Sequence, residues 1–395
     1  MIKNKRIKIA FIFHDSDRYS GATRSLLDII DKIIVNGLID IVAIFPTNSG
    51  TAIEYLRDKE VNIIVSYYSQ ARVAMNENKI RYLIALPIRL MRQIIGLLYT
   101  KFQLVPKLKE MGVSGIYTNT STILVGAYLK KYIKLKYIWH FREFGEEDQS
   151  KKMLFGRRHF YKLANKYADE VIVLSKAMYE KYAEYIYETE VNVVYNDISP
   201  NHINKKNKFS SNSNSTLNIL IAGQIKPEKG QKQAIEALER LVKEGCNIKL
   251  FIAGVGSNDY ILKLKEYTER KKIEDYVEFL GHVSDLTSLR TNMDIGVVPS
   301  KFEAFGRVTI EGMLSCMTMI GSNKGGTLEL IEDEKTGLIY EWGNIQDLTR
   351  KILYLYNNRE HCVKLANNGF EFAMNFTKGS CAEHIQNSFL KYVKE

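Results

Sequence analysis

Short apolar runs rich in isoleucine, valine and aromatic residues alternate with longer segments of helical periodicity along most of the chain. In the first half these runs are IKIAFIF, IDIVAIF, VNIIVSY, GIYTN, KYIWHF and EVIVLS, at residues 7–13, 39–45, 61–67, 115–119, 136–141 and 170–175. Strands that alternate with helices predict βαβ units and a parallel sheet.

The alternation stops in a polar stretch and then starts again. Residues 201–216, NHINKKNKFSSNSNST, have no periodicity and predict a linker. Beyond the linker, further strands are predicted at residues 217–223, 248–254, 277–281, 294–300, 317–322 and 337–341. A chain of 395 residues is too long for one ordinary core, so two domains are expected on length as well.

We therefore predict an α/β protein of two Rossmann-like, doubly wound domains that face each other across a cleft. The N-terminal domain is expected over residues 1–205 and the C-terminal domain over residues 206–376. A final helix over residues 377–395 is expected to pack back on the first domain. In such folds ligands bind beyond the carboxyl ends of the strands, so the candidate chemistry is sought there.

Charge is concentrated in the first half of the chain. Residues 1–205 contain 31 Lys and Arg against 21 Asp and Glu, a net +10, whereas the remainder has 25 against 24, so that the total is +11. A one-sided basic domain favours an anionic partner: a membrane face, a nucleic acid or a phosphorylated substrate. Aromatic-rich RNA-binding and helix-turn-helix signatures are missing, so no nucleic-acid partner is expected.

Targeting signals and cysteines point to the cytoplasm. The apolar core of MIKNKRIKIAFIFHDSD is short and charged residues follow it, which favours a first strand over a signal peptide. No run of 18 uncharged apolar residues occurs, so no spanning helix is expected. The four cysteines form no CxxC pair, which is typical of a reduced cytoplasmic chain.

Residues 79–101 combine apolar and basic positions. On a helical wheel Arg81, Arg89 and Arg92 fall within about 80° of one another, and apolar residues occupy most of the rest. Pro87 is expected to kink or restart the helix. Two interpretations stay open: a helix that docks the first domain on an anionic membrane surface at the inner face of the cell membrane, or a buried helix with a solvated arginine edge.

Candidate site residues in the first half follow its strands. Gly21 opens a helix after the first strand, where backbone amides can meet an anion, although glycine in such a turn is commonly structural. His140 lies at a strand's carboxyl end beside Arg142 and Glu143, which we expect to point into the cleft; a satisfied core histidine is the alternative. The DxD pattern at residues 15–17 is interpreted as turn carboxylates, not as a metal site.

The second half offers a phosphate site and two carboxylates. Lys229 and Gly230 stand at the entry to a helix, where a lysine can neutralise a phosphate; a surface lysine on a turn is the alternative. The segment SKFEAFGRVTIE places Glu303 on a loop and Glu311 on the helix that begins near Gly306. Amides of residues 304–306 can also meet a diphosphate, and Glu311 can accept two hydrogen bonds from a ribose. The two glutamates are therefore expected to grip a nucleotide diphosphate sugar.

These motifs carry a family resemblance. SGATRSLL, HFRE, the PEKGQ turn, PSKFEAFGRVTIEGM with its E-x7-E spacing, and GGTLELIEDEKTGLIY resemble the retaining glycosyltransferases of family 4, which have the GT-B architecture. The resemblance is specific mainly over residues 217–342. It implies that Glu303 holds sugar hydroxyls beside the reacting carbon, and that His140 lies near the donor sugar. The expected donor-binding residues are Gly21, Gln224, Lys229, Ala304, Phe305, Gly306, Arg307 and Glu311.

One position departs from the family pattern. Where the family usually has an arginine after the glycine of the first C-domain strand, this chain has Gln224. A neutral amide neutralises a leaving diphosphate less well than a cation, and Arg307 or Arg142 would have to compensate.

The resemblance implies retaining transfer of a sugar from a nucleotide diphosphate sugar, taken as UDP-linked, to an acceptor hydroxyl. No cofactor or metal is expected, and the leaving phosphate itself would take the acceptor proton. The low-proline composition, rich in Lys, Asn, Ile and Tyr, is typical of a low-GC bacterium, where the acceptor would be a lipid-linked surface polysaccharide or glycoconjugate. Two alternatives stay open: a sugar-nucleotide epimerase, and a non-catalytic GT-B partner subunit suggested by Gln224.

Overall fold

The computed structural model describes residues 6–205 and 215–394, in two compact units. Unit 1 runs to Asp197 and takes in the chain again from Gly379, and unit 2 runs from Ile198 to Lys378. The chain therefore passes from unit 1 to unit 2 before the boundary expected at residue 205. The physical reason is that the amide of Ile198 donates to the carbonyl of Phe376 at 2.8 Å, which ties these residues to unit 2. Residues 206–214 of the expected linker lie outside the described residues.

Unit 1 is built on a parallel sheet with the order β3-β2-β1-β5-β6-β8-β9 in its described part. Its strands are β1 (Ile7–Ile12), β2 (Ile39–Phe45), β3 (Asn62–Val65), β4 (Arg72–Ala74), β5 (Val113–Thr118), β6 (Lys136–Phe141), β7 (Lys151–Met153), β8 (Glu170–Val173) and β9 (Glu190–Val193). Strands β4 and β7 form a separate antiparallel pair. The six strands expected in this half are all present. Five of the apolar runs are largely buried, whereas β3 is an edge strand in which Asn62 and Val65 are exposed.

Helices of unit 1 connect these strands. They are α1 (Gly21–Asn36), α2 (Thr51–Arg57), α3 (Lys79–Tyr99), α4 (Val105–Glu110), α5 (Val125–Tyr132), α6 (Glu146–Gln149), α7 (Arg157–Tyr167) and α8 (Lys176–Ala183). A π-helical turn over Thr100–Leu104 joins α3 to α4.

Unit 2 contains a second parallel sheet, with the order β12-β11-β10-β13-β14-β15 in its described part. Its strands are β10 (Leu217–Ala222), β11 (Ile248–Ala253), β12 (Val277–Gly281), β13 (Ile295–Val298), β14 (Thr318–Ser322) and β15 (Leu338–Tyr340). Its helices are α9 (Gln231–Lys243), α10 (Asn258–Lys271), α11 (Leu286–Arg290), α12 (Arg307–Met313), α13 (Thr327–Leu330), α14 (Ile345–Asn357) and α15 (Arg359–Ala373). All six strands expected here are present, so the predicted fold class, two doubly wound α/β domains, is confirmed for each unit.

The last helix, α16 (Ser380–Lys394), belongs to unit 1 although unit 2 precedes it in the chain. Ile385 and Phe389 are buried in the core that α1 and the first two strands also line. Asp197 caps the helix by accepting from the amides of Cys381 and Ala382, at 3.1 and 2.9 Å. The helix therefore completes the core of unit 1.

Helix α3 is unusual because most of its apolar side chains are exposed. It runs without interruption through Pro87, so the helix does not restart there. Ile80 and Ile84 are 69% and 71% exposed, and Phe102 just beyond the helix is 67% exposed. Burial of one such side chain is worth about 1.5–3 kcal/mol. The interpretation as a buried helix with a solvated edge is therefore wrong.

Candidate functional site

At the carboxyl edge of the unit 2 sheet, the backbones of two loops approach each other closely. Strands β10 and β11 are followed by Gly223 and Gly254, which have φ of +137° and +150°. A Cβ at Gly254 would lie 1.8 Å from the carbonyl oxygen of Gly223. The sequence therefore needs glycine at Gly254 for the two loops to pack side by side at this edge.

Lys229 and Glu303 meet at this edge. The Nζ of Lys229 lies 2.5 Å from Oε1 of Glu303, and the hydroxyl of Ser300 donates to the same oxygen at 2.6 Å. Both side chains are partly exposed, at 25% and 13%. Among the described residues both hydrogen bonds to this carboxylate end on Oε1, so Oε2 is available to accept from a ligand's hydroxyl groups.

Backbone packing between two loops brings this pair together. Lys229 ends a 3-10 turn, Pro227–Lys229, and Gly230 follows with a φ of +73°. A Cβ at Gly230 would lie 2.0 Å from the carbonyl oxygen of Pro299, and the amide of Lys301 donates to the carbonyl of Glu228 at 2.8 Å. The turn is thus fixed against the loop that carries Glu303.

A third loop holds the other side of Glu303. The amide of Gly326 donates to the carbonyl of Glu303 at 2.7 Å, and a Cβ at Gly325 would lie 2.6 Å from that same oxygen. The GG pair of GGTLEL is therefore required for this contact. Its role is to hold the backbone of Glu303 while its side chain reaches the edge of the sheet.

Helix α12 begins at Arg307 after Gly306, which has a φ of +98°, so the helix start expected near Gly306 is observed. Glu303 lies on the loop and Glu311 on the helix, as expected. Ala304, Phe305 and Gly306 are buried at this junction.

Glu311 is almost fully buried, with 1% of its side chain exposed, and two arginines hold its carboxylate. Arg290 lies 2.6 Å from Oε2 and is equally buried, while Arg307 lies 3.4 Å from Oε1. His202 is also nearby, with its Nε2 4.0 Å from Oε1. Because Arg307 is bound to Glu311, it is less available to supply the positive charge that is missing at Gln224.

Sequence reasoning missed Arg290 and Ser300. Arg290 ends the short helix α11 and lies 21 residues before its partner, so only the tertiary fold brings the two together. Ser300 follows β13 three residues before Glu303, and its position at a strand's carboxyl end was the available signal.

Gln224 and Gly21 are both exposed positions. The backbone carbonyl of Gln224 accepts from Nε2 of the buried Gln231 at 3.0 Å, which fixes the loop after β10. Gly21 is the first residue of α1, a helix of 16 residues with Ser20 at its N-cap, and a Cβ at Gly21 would meet nothing within 4 Å. Space alone therefore does not explain glycine at this position.

His140 is fully buried in unit 1. Its Nδ1 lies 2.5 Å from the hydroxyl of Tyr117, and Nε2 is buried with no hydrogen-bond partner among the described residues. Burial, and then the nearby charge of Arg142, lower the pKa of His140 well below its ordinary value. The imidazole therefore stays neutral. Because Nε2 has no partner within the described part of the chain, His140 is not the satisfied core histidine of the alternative, and its place near a donor sugar stays a prediction.

Arg142 and Glu143 are buried too, contrary to the expectation that they point into a cleft. Arg142 donates to Asn119 at 2.6 Å, and also to Asn196. Glu143 accepts from the amide and hydroxyl of Ser121 at 2.9 and 2.6 Å. Charges at a buried strand end need partners, and these polar groups of unit 1 supply them. Arg142 is thus committed within unit 1.

Asp15 supports the start of helix α1. Its carboxylate accepts from the hydroxyls of Ser20 and Thr23, at 3.1 and 2.6 Å, and lies 2.9 Å from His14. Burial raises the pKa of Asp15, but these bonds outweigh it and lower the pKa overall. Within residues 6–205 and 215–394, no cluster of three or more His, Cys, Asp and Glu side chains suited to a metal is found.

Unit 2 is similar in sequence to known glycosyltransferases. Residues 203–372 match the family described as glycosyl transferases group 1. An uncharacterized glycosyltransferase of Methanocaldococcus jannaschii is 28% identical over 66% of this chain and 70% of its own length. The capsular polysaccharide biosynthesis glycosyltransferase CapM of Staphylococcus aureus is 26% identical over 48% of this chain, and the match spans only half of that protein.

Solved structures share the fold over the whole chain. Anabaena HepE, solved with UDP-glucose, has a TM-score of 0.75 at 20% identity and covers 98% of this chain and all of its own. A glycosyltransferase from Rickettsia africae has a TM-score of 0.76 at 18% identity, covering 98% of this chain and 99% of its own. At 20% and 18% identity these likenesses show the fold, and the predicted fold class is confirmed.

Proposed function

We propose that the protein is a retaining glycosyltransferase that moves a sugar from a UDP-sugar to an acceptor hydroxyl in the synthesis of a surface polysaccharide or glycoconjugate. The observation that carries the proposal is the pair of Lys229 and Glu303 at the carboxyl edge of the unit 2 sheet. An ammonium group and a carboxylate held side by side match a donor that has a diphosphate next to a sugar.

Lys229 is proposed to neutralise the diphosphate as it leaves. Its ion pair with Glu303 orients the ammonium group before the donor binds, so less reorganisation is needed at the moment of reaction. The amides at the start of α12 would add hydrogen bonds to the same phosphates. No residue is required as a nucleophile if the leaving phosphate takes the acceptor's proton on the face where the new bond forms.

Glu303 is proposed to hold sugar hydroxyls through Oε2, and Glu311 to accept the ribose hydroxyls through Oε1. The Arg307 contact to Oε1 is long, at 3.4 Å, and the side chain of Arg307 is 12% exposed, so this contact is proposed to open when a nucleotide enters. Arg290 would keep Oε2 of Glu311 fixed, so the carboxylate stays oriented as an acceptor.

UDP as the donor nucleotide and a polysaccharide as the acceptor are suggested by relatives. HepE was solved with UDP and with UDP-glucose. CapM is named for capsular polysaccharide biosynthesis, and a poly(ribitol-phosphate) alpha-N-acetylglucosaminyltransferase of S. aureus is 34% identical over 33% of this chain.

A nucleotide-sugar screen tests the donor. A ligand at 100 times its dissociation constant adds about 2.7 kcal/mol to the stability of the state that binds it, which a thermal shift detects. We expect UDP and one UDP-sugar to stabilise the protein, and Glu303→Gln to retain UDP binding while it loses transfer. The absence of stabilisation by every nucleotide sugar would contradict the proposal.

The same donor, incubated with and without acceptor saccharides, separates the alternatives. A new glycoside whose anomeric configuration matches that of the donor supports retaining transfer, and inversion contradicts it. An isomerised donor formed without acceptor indicates an epimerase. Donor binding without turnover favours a non-catalytic partner subunit, an alternative suggested by the exposed neutral Gln224.

A further inference from the structure

The exposed face of α3 is apolar over most of its length. Its centre is formed by Ile80, Leu83, Ile84, Ile88, Met91, Ile94 and Leu98, each at least half exposed. At 100° per residue these side chains spread over about 140° of the helix. We refer to them as the α3 face. On a helix whose outer side faces water, this face would be polar. We therefore expect an apolar partner to cover it.

Basic residues lie along one edge of the α3 face. Residues 79–110 contain seven Lys and Arg and one Glu. On the wheel Arg81 and Arg92 border one edge of the face, and both are exposed. Arg89 is less available to a partner, because its guanidinium makes two hydrogen bonds to Glu77, at 2.6 and 2.7 Å. Arg81 and Arg92 therefore present positive charge to a partner that covers the α3 face.

The opposite side of α3 is attached to unit 1. The buried Gln93 donates to the hydroxyl of Ser69 at 2.7 Å and to the carbonyl of Gln70 at 3.0 Å. A Cβ at Gly96 would lie 3.4 Å from Cα of Tyr68. Within the described residues, α3 with its continuation to Glu110 passes a length and hydropathy test for a membrane span, yet little of it is buried. A helix fixed along one side cannot cross a bilayer while that side stays attached.

We propose that unit 1 docks on an anionic lipid bilayer with α3 lying in the plane of the interface. The α3 face would enter the boundary between headgroups and acyl chains, and Arg81 and Arg92 would meet lipid phosphates. Tyr99 and Phe102 stand at the carboxyl end of the face, where aromatic rings favour the interface. The proposal rests on α3 alone and not on the proposed function.

Charge decides between a bilayer and a second copy of the chain. Two α3 faces packed together would bring Arg81 and Arg92 of both copies into one interface, and α3 itself contains no acidic residue to pair with them. Like charges at an interface oppose association. An anionic bilayer offers both the apolar layer and the opposite charge.

Vesicle sedimentation with the full chain tests the docking. We expect binding to vesicles of phosphatidylcholine with phosphatidylglycerol, weaker binding to phosphatidylcholine alone, and release of the charge-dependent part at high salt. Arg81→Gln with Arg92→Gln should lower the partition coefficient about 30-fold, since each charge near the surface contributes about 1 kcal/mol. Lys162→Gln with Lys263→Gln removes the same charge from exposed positions on α7 and α10 and should change it less than threefold.

The apolar face is tested separately. Ile84→Asn with Met91→Asn should lower partitioning more than tenfold, whereas Val35→Asn with Leu262→Asn, at exposed positions of α1 and α10, should not. Because all four native cysteines are buried, a fluorophore that reports polarity can be attached at Ile88→Cys without altering the fold around it. Its emission should shift to the blue with anionic vesicles, and a label at Val35→Cys should not shift.

Three results would overturn the proposal. They are no binding to either vesicle at low salt, equal losses in the α3 and control variants, and a dimer in sedimentation velocity that Ile84→Asn with Met91→Asn dissolves. The last result would make a second copy the occupant of the face.

Discussion

The two glutamates of SKFEAFGRVTIE are held in different ways. Glu303 is partly exposed and paired with Lys229, whereas Glu311 is buried against Arg290. An exposed pair stabilises a fold little, while a buried carboxylate that keeps a buried arginine paired is costly to remove. The first glutamate is therefore suited to chemistry, and the second is in addition part of the structure of unit 2.

Glu311→Ala is expected to lower the free energy of unfolding of unit 2 by about 3–5 kcal/mol, because it leaves Arg290 buried without its carboxylate partner. Urea unfolding followed by circular dichroism measures the change. Glu236→Ala, which removes a more exposed partner from an i,i+4 pair with Lys232, should cost less than about 1 kcal/mol. Similar losses in the two variants would show that the Arg290 pair contributes little.

Lys229→Ala is expected to raise the barrier to transfer by about 2.7–4 kcal/mol, a loss of roughly 10²- to 10³-fold in kcat, as for one preorganised electrostatic donor. Steady-state kinetics with the donor found in the screen measures it. Gln224→Arg adds a cation on the same edge and should maintain or raise kcat. Full activity of Lys229→Ala would remove the proposed role of this ammonium group.

At the scale of elements, the loop contacts around Lys229 depend on the absence of a side chain at Gly230. Gly230→Ala should destabilise unit 2 by about 1–3 kcal/mol beyond the cost of left-handed backbone, because its Cβ would strike the carbonyl of Pro299. Gly245→Ala is the matched control: its φ is +79°, and a Cβ there meets nothing within 4 Å. Thermal unfolding gives the difference, and equal shifts in the two variants would contradict the packing argument.

A histidine on α16 makes the attachment of that helix sensitive to pH. Nε2 of His384 lies 2.6 Å from Oε1 of Glu170 on β8. This hydrogen bond raises the pKa of His384 above 6.5, despite partial burial and with a smaller contribution from Glu190. Burial raises the pKa of Glu170, but the bond to His384 outweighs it, so the pKa falls below 4.5.

The sign of the pH dependence follows from these shifts. The raised pKa of His384 contributes stability that is complete below pH 6.5 and is lost as the pH rises through the raised value. The lowered pKa of Glu170 contributes stability that is present above pH 4.5 and is lost as the pH falls through the lowered value. We expect the urea midpoint of unit 1 to decrease as the pH rises above about 6.5 through the raised pKa of His384, and His384→Gln to flatten this slope. An unchanged slope in the variant would assign the dependence to other groups.

Periodicity predicted the long strands well and the marginal ones poorly. Strands β2 and β6 begin and end at the predicted residues, because their apolar runs are buried on both faces. The pair β4 and β7 escaped prediction because each has only three residues. Strand β9 escaped because EVNV is a half-buried edge strand without a clear pattern.

The candidate site was predicted in part. The Lys229 and Glu303 pair could be anticipated because both residues follow strands of one parallel sheet. The inward packing of His140 and Arg142 could not, because it depends on Tyr117, Asn119 and Asn196, whose positions only the tertiary fold defines.

At the scale of the whole molecule, the two units differ in how the chain builds them. Unit 2 is one continuous segment, whereas unit 1 needs residues from both sides of it. A protein of residues 198–378 is expected to fold by itself and to unfold cooperatively in urea. Removal of residues 379–395 should expose the core that Phe389 fills and leave unit 1 unfolded while unit 2 persists. Limited proteolysis and circular dichroism test both expectations, and a folded unit 1 without α16 would contradict the second.

The return of α16 to unit 1 also orders events on the ribosome. Synthesis proceeds from residue 1, so the sheet of unit 1 emerges first but waits, without Ile385 and Phe389, while all of unit 2 is translated. At about 5–20 residues per second the intervening 198–378 segment takes on the order of ten to forty seconds. During that interval the nascent first unit exposes the groove that α16 later fills. A chaperone that binds nascent chains is therefore expected to select this groove, and to leave once residues 379–395 have emerged.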